Sequence, residues 1–329
     1  MNPPPLMQAW QWTGTGRPLT QHDVPVPTPG ADEVLLRVRA AGMCHSDVGE
    51  LDEPSWAASI TRNPITLGHE IAGEILAVGA DVRDWRPGQR VGVHPLGRTV
   101  PGYSRDGGYA SHHLAPASDL VAVPDGLSDE RAAVGTDAGM TSYHAVATVA
   151  GVAPGMRVGV IGLGGLGQLG AQLAVHLGAE VHAADTDAGA LALAEGWGMA
   201  GTYPDADALR GLGLDAVVDF AGFGTTTEAA VHAIKVGGTV VMVGLGAEHT
   251  TLTTADVIHQ KARILGTTGG TREDVAACYA LLEKGVLVPV VERLRFADVP
   301  EGIDRLREGR VRGRLVVVPD EDAEDADDR

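Results

Sequence analysis

Cysteine is scarce: the 329 residues hold two, Cys44 and Cys278. Two cannot form a disulfide framework, so the fold must rest on a packed core. Basic residues are outnumbered, 25 Lys and Arg against 43 Asp and Glu, for a net charge of −18. A surface of that sign repels a phosphate backbone and argues against nucleic acid as a partner. No apolar run approaches the ~20 residues of a membrane span, which argues against a membrane partner. The opening MNPPPLMQAW has neither the charged start nor the apolar stretch of a secretory leader. A cytoplasmic location is therefore expected. Aromatics make up only 4% of the chain, so any substrate pocket is expected to be walled mainly by aliphatic groups.

What is present describes a globular protein. Hydrophobic residues make up 44% and mean hydropathy is near zero. The length exceeds what one small core organises, and two domains are expected. Part of the charge is local. Residues 320–329 (DEDAEDADDR) carry seven acids and one base, and read as a solvated, disordered tail with no assigned function.

The most informative segment begins at Arg157. RVGVIG reads as an apolar strand running into Gly162-Leu-Gly164-Gly165-Leu166-Gly167, a GxGxxG turn that opens a helix. Gly162 allows the tight turn, Gly164 lets backbone approach a pyrophosphate, and Gly167 lets helix and strand pack closely. The phosphates then sit at the positive end of the helix beginning near Gly165. A second strand, 180–184, ends at Asp185, about the ~20 residues downstream expected of the carboxylate that binds an adenosine ribose. Residues 186–190 (TDAGA) offer no Lys or Arg to offset a 2′-phosphate, so NAD is expected rather than NADP.

Around this motif the periodicity changes twice. Up to about residue 135 the chain shows short strands with Pro and Gly punctuation, at 33–39, 71–78 and 90–93. From about Gly139, strands at 157–162, 180–184, 215–220, 238–243 and 262–266 alternate with helical stretches at 166–177 and 225–235. Residues 289 onward return to strand character, ending in 314–318. The expected architecture is α/β: a β-rich domain from residues 1–139 and 286–319, with a doubly wound parallel-sheet domain, 140–285, inserted.

Three glycine-bounded turns in the β-rich part hold metal-ligand residue types: Gly42-Met-Cys44-His45-Ser46-Asp47, Leu67-Gly68-His69-Glu70 and Gly135-Thr-Asp137-Ala-Gly139. Thiolate, imidazole and carboxylate are the protein ligands of zinc, and three leave a fourth position open for chemistry. Residue types alone leave two readings open. Each residue also suits a turn, a cap or a small buried site, and no spacing rule forces the three turns together.

GMCHSDV, LGHEIAGEI, TDAGMTSYHAV and GLGGLG occur in the order and at the separations of the zinc-dependent medium-chain alcohol dehydrogenases. The chain resembles that family from Gln8 to about Pro319, including the closing RLREGRVRGRLVVVP. It is most similar to the bacterial secondary-alcohol branch, whose third ligand is aspartate. The resemblance implies a GroES-like catalytic domain beside a Rossmann domain, with the active site in the cleft between them. It implies zinc on Cys44, His69 and Asp137, with Glu70 a carboxylate able to swing onto the metal. Asp47 becomes a support for His69, and Ser46 the acceptor of the substrate's hydroxyl proton. His45 and Arg314 are implied near the pyrophosphate, with an exposed strand-end arginine as the alternative for Arg314. A homodimer or homotetramer is implied as well.

Two departures from the family matter. Many members carry a second zinc on four cysteines, but residues 94–106 (HPLGRTVPGYSRD) contain none. One zinc per chain and a trimmed lobe are expected. Many members also carry a relay histidine where this chain has Gly49, leaving the proton's exit beyond Ser46 to water. Residues 50–63 are expected to line the pocket, with Trp56 either shaping its wall or packing. Cys278, His112, His113 and His144 are read as structural or surface residues.

The resulting expectation is reversible hydride transfer between an alcohol, secondary favoured, and its ketone or aldehyde, with NAD. Three alternatives stand beside it: a biosynthetic carbonyl or imine reductase of the same family, a zinc-free NADPH quinone or enoyl reductase, and a non-catalytic NAD-binding sensor or scaffold.

Overall fold

Val158, Val160 and Ile161 on one strand, Val217 and Val218 on the next, and Val240 and Val241 on a third are all buried. Near-continuous β-branched runs of this kind belong to parallel strands covered on both faces. The computed structural model describes residues 5–320, so the acidic-tail reading falls, beyond Asp320, outside the described residues. The chain divides into two compact units. One comprises residues 5–137, 271–283 and 291–320; the other is Ala138–Gly270 with Lys284–Val290.

The second unit is built on a six-stranded parallel sheet, in the order Gly201–Tyr203, Glu180–Ala184, Arg157–Ile161, Leu214–Asp219, Ile234–Met242, Arg263–Gly266. The chain runs outward from Arg157–Ile161 in both directions, so strand order reverses there. In doubly wound sheets, ligands bind outside the carboxyl ends of the strands at that reversal. Ile161 pairs with Ala184 on one side and Asp219 on the other, which puts Gly162 and Asp185 at the same end.

In the first unit the strands Val291–Arg295, Arg314–Val318, Glu33–Gly42, Glu70–Val78, Arg90–Val93 and Leu120–Ala122 lie in that order. His112–Pro116 also pairs with Glu33–Gly42. A three-stranded sheet, Thr20–Pro25, Leu6–Trp12 and Ile65–Thr66, accompanies them. Leu36, Met43, Leu67, Ile71, Val91 and Tyr109 share one core cluster. Glu33–Gly42 and Glu70–Val78 are antiparallel, with Gly42 opposite Glu70. That register brings the turn holding Cys44 beside the turn holding His69.

The division departs from the expected boundaries, and side chains explain why. The helix Arg272–Glu283 belongs to the first unit: the buried Tyr279 hydroxyl donates to the Ala132 carbonyl at 2.9 Å, and Arg272 Nε to the Leu120 carbonyl at 2.8 Å. Residues 284–290 return to the second unit, where Val288 and Val290 donate their N–H groups at 2.7 Å to Gln172 and Gln168. These two glutamines are four apart on the helix Gly167–His176 and share a face. Cys278 is buried in Arg272–Glu283, and burial pushes its thiol up to about 12. Among the described residues no helix is long and apolar enough to cross a membrane.

Tyr279→Phe should therefore lower unfolding stability by about 1–2 kcal/mol, because it strands a buried carbonyl. Urea denaturation reads this, and an unchanged midpoint would show that the hydroxyl does not anchor the helix.

Candidate metal and dinucleotide sites

Cys44 ends the strand–turn leading into the helix His45–Asp52, and its N–H donates at 2.9 Å to the Oδ2 atom of Asp47, three residues into that helix. An acid in the third helical position satisfies an otherwise orphaned donor and stabilises the first turn. The buried Tyr109 hydroxyl donates to the same Oδ2 at 2.6 Å. Two donors fix the carboxylate, and its other oxygen faces His69 Nδ1 at 3.5 Å.

His69 follows Gly68, which has φ +90 and lies against the Tyr109 ring; a Cβ there would come within 2.7 Å of it. Only glycine satisfies both constraints. Asp137 belongs to the same unit, from a segment 68 residues further along the chain. The helix Asp129–Val134, capped by Ser128, widens into a π-helical turn at Gly135–Gly139 that carries it. Such widened turns are frequent at functional sites.

The outcome is a cluster in which Cys44 Sγ, one His69 nitrogen and one oxygen each of Glu70 and Asp137 lie within 4.8 Å of one another. His69 Nε2 stands 3.6 Å from Asp137 Oδ2 and 3.4 Å from Ser46 Oγ. This is a zinc-type donor set. Two orphaned buried atoms support the fit, since His69 Nδ1 and Asp47 Oδ1 have no hydrogen-bond partner. A histidine binding a metal through Nε2 places its Nδ1–H toward a carboxylate in this way.

Arg314 completes the cluster. It is 3% exposed and donates from Nε and Nη2 to both oxygens of the fully buried Glu70, with Nη2 3.5 Å from Asp137 Oδ2. The reading of Arg314 as an exposed strand-end arginine is therefore corrected: the last strand delivers its guanidinium into the donor cluster. Burial alone would raise the Cys44 thiol, but the Arg314 charge and a hydrogen bond with His69 outweigh it and bring it down to about 7. Burial also works against ionising Asp137, yet His69 and Arg314 hold it below the usual carboxylate range. Both groups are thus poised in the anionic form a metal ligand needs.

His45 is exposed on the first turn of its helix, and Trp56 is half-buried over Gly49. His112 and His113 are buried on the strand His112–Pro116, away from the donors. Sequence reasoning missed Tyr109 as the donor to Asp47, and also the buried Glu50. Nothing in GGYA or GELD marks either residue, because their significance lies in partners 62 and more residues away or in the lack of any.

In the second unit, Gly162 has φ +84, and a Cβ on Gly167 would collide with the Gly162 carbonyl. A Cβ on Gly164 would meet nothing within 4 Å, so the middle of the turn is an open cradle. Leu166 precedes the helix, and Gly165 lies between it and the open glycine. Asp185 accepts from Leu163 N–H at 2.6 Å through Oδ2 and from Asp187 N–H at 2.8 Å through Oδ1. Each oxygen keeps a second lone pair for a ribose hydroxyl. The turn and carboxylate fit a dinucleotide.

An alcohol dehydrogenase GroES-like domain model matches residues 30–125, and a zinc-binding dehydrogenase model matches residues 165–284. The chain is 32% identical to an alcohol dehydrogenase of Geobacillus stearothermophilus, across 92% of this chain and 97% of that one. It is 32% identical to an NAD-dependent alcohol dehydrogenase of Sulfurisphaera tokodaii, across 95% and 100%. The structure of acetophenone reductase from Geotrichum candidum in complex with NAD shares the fold with a TM-score of 0.88. Its identity is 32%, over 98% of this chain and 100% of that one. A parallel nucleotide-type sheet in one unit and a zinc-type donor set in a GroES-like unit together define an oxidoreductase. The chain belongs to the zinc-dependent medium-chain alcohol dehydrogenase family.

Arg314→Met should destabilise the protein by about 3–5 kcal/mol, because Glu70 would stay buried without its counter-charge. Adding Glu70→Gln should recover much of that loss. Urea titrations of the single and double variants measure the coupling, and strictly additive effects would show that the pair is not interdependent.

Proposed function

We propose that this chain is a zinc-dependent, NAD(H)-using alcohol dehydrogenase that interconverts a secondary alcohol and its ketone. The convergence of Cys44, His69, Glu70 and Asp137 within 4.8 Å carries the reading. In it Cys44, His69 and Asp137 hold the zinc, and Glu70 is kept aside by Arg314 as a reserve donor. Bound there, zinc supplies Lewis acidity that eases loss of the hydroxyl proton by roughly 12 kcal/mol at the upper end.

The remaining roles fall to the chain's own side chains. Asp47, clamped by Tyr109 and the Cys44 N–H, orients the His69 ring. Ser46 takes the hydroxyl proton. Asp185 binds the adenosine ribose over the glycine turn, and its charge, with no Lys or Arg in residues 186–190, favours NAD. His45 and Arg314 are the pyrophosphate candidates, Arg314 acting from within the donor cluster. One zinc per chain is part of the proposal, because two cysteines are too few for a four-cysteine second site. The ketone acted on by acetophenone reductase and the aspartate donor both favour secondary alcohols. A homodimer or homotetramer in the cytoplasm completes the proposal, and light scattering reads the assembly.

A zinc-free NADPH reductase would have no use for this donor set, and a non-catalytic sensor none for Ser46 beside it. A biosynthetic carbonyl or imine reductase uses the same machinery and differs only in substrate. Metal analysis run with a panel of secondary alcohols, primary alcohols and matching carbonyls tests the proposal. About one zinc per chain, loss of activity with a chelator, and faster turnover of secondary alcohols with NAD are expected. Active protein devoid of zinc, or preference for NADPH, would overturn it. Asp185→Ala should raise KM for NAD about tenfold or more, because a charged hydrogen-bond acceptor is lost; an unchanged KM would remove Asp185 from the ribose site.

A further inference from the structure

Residues 94–106 contain no cysteine, yet the end of this segment is tightly built. The Val100 carbonyl accepts from the N–H groups of Tyr103, Ser104 and Arg105 at 3.2, 2.9 and 3.3 Å, and the Gly102 N–H donates at 2.8 Å to the Arg105 carbonyl. Gly102 has φ +80, which glycine adopts without steric cost. Arg105 pins the turn to the body of the first unit, donating at 3.1 Å to the Leu114 carbonyl and pairing with Glu33. From the other side the Thr61 N–H donates at 2.9 Å to the Tyr103 carbonyl. The main chain at Tyr103 is therefore held from two directions by hydrogen bonds alone.

That turn carries the Tyr103 ring to the donor cluster. Its centroid lies 6.2 Å from that of the His69 ring, with the planes tilted by 54°. Aromatic rings interact at centroid separations of about 4.5–7 Å. The phenol is only half-buried, and burial pushes its ionisation up, so the ring presents a neutral surface. His69 Nε2, on the ring that Tyr103 borders, stands 3.4 Å from Ser46 Oγ. A second aromatic side chain borders Ser46 from its own helix. Gly49 lies three residues on, on the same helix face, and the half-buried Trp56 indole covers it so closely that a Cβ there would come within 2.7 Å. A chain with few aromatics thus places one beside His69 and one beside Ser46.

We propose that Tyr103 is a specificity-determining residue, whose ring, with Trp56, receives the carbon substituent of the substrate and selects secondary alcohols and ketones that bear an aryl group. This rests on the proposed dehydrogenase function, in which the substrate hydroxyl lies within hydrogen-bond reach of Ser46. An aryl group against these rings gains offset or edge-to-face contact beyond the burial that an alkyl group also gains. Because the turn is already fixed, little ordering cost is set against that gain. The segment without cysteines thereby acts in substrate choice.

The test compares kcat/KM for 1-phenylethanol and for 2-butanol, with NAD, in zinc-loaded wild type, Tyr103→Ala, Tyr103→Leu and Tyr103→Phe. Wild type should favour 1-phenylethanol. Tyr103→Ala should lower that preference by about tenfold or more, chiefly through a higher KM for the aryl substrate. Tyr103→Leu keeps an apolar side chain without the ring and should show the same loss, which serves where Tyr103→Ala does not fold. Tyr103→Phe keeps the ring and should keep the preference. The ratio between two substrates on one preparation does not move with the fraction of folded protein, so a purely structural role would leave it unchanged. A ratio unchanged or raised by loss of the ring overturns this role, as does a ratio lost in Tyr103→Phe. A wild type that oxidises 2-butanol without favouring the aryl alcohol overturns this role alone. A wild type that binds zinc but oxidises neither alcohol overturns the functional reading and this role with it.

Discussion

The ion pair between Arg314 and Glu70 closes the first unit. It joins the last strand of the chain to the strand Glu70–Val78, across a sequence separation of 244 residues, in a place where water cannot substitute for either partner. Burying two charges gains little by itself, since desolvation offsets the attraction, but removing one leaves the other stranded. The pair therefore works as a constraint on conformation more than as a source of stability. It fixes Glu70 at the edge of the donor cluster, and its charge lowers the Cys44 thiol and the Asp137 carboxyl toward their anionic forms. Without a cation in this position, a thiolate and two carboxylates would face one another in a dry site.

A second clamp acts on the imidazole. Asp47 is held by the Cys44 N–H and by the Tyr109 hydroxyl, and the Tyr109 ring in turn packs against Gly68. The residue before His69 thus sets the position of the group behind His69. This mutual dependence explains why the site can be stiff although its members sit on turns, where single side chains are usually mobile.

Much of the layout was legible because it depends on local pattern. The strands Glu180–Ala184, Arg90–Val93 and Arg314–Val318 have the expected bounds, since alternation and turn residues delimit them. The glycine turn was legible because each glycine answers a local steric demand. What escaped depends on distant partners. The short strand Gly201–Tyr203 carries no strong apolar run and exists through its pairing with Glu180–Ala184. The helix Arg272–Glu283 carries no local mark of the unit it joins, and the distant partners of Tyr279 and Arg272, Ala132 and Leu120, tie it to the first unit. The donors Cys44, His69 and Asp137 stood out as residue types. Their convergence could not be derived from spacing and came only through resemblance, because three turns have no local rule binding them. Arg314 as the partner of Glu70 and Glu50 as an orphaned acid were invisible for the same reason.

The discontinuity of the first unit bears on how the molecule is made. A ribosome releases Cys44, His69 and Glu70 first, then Asp137, then the whole stretch from Ala138 to Gly270, and Arg314 after it. Domains tend to fold as they emerge, so the parallel sheet has all its strands before the donor cluster has its counter-charge. Through that interval the nascent thiol and carboxyls stand without the guanidinium, and the cluster is complete only when the strand Arg314–Val318 has paired.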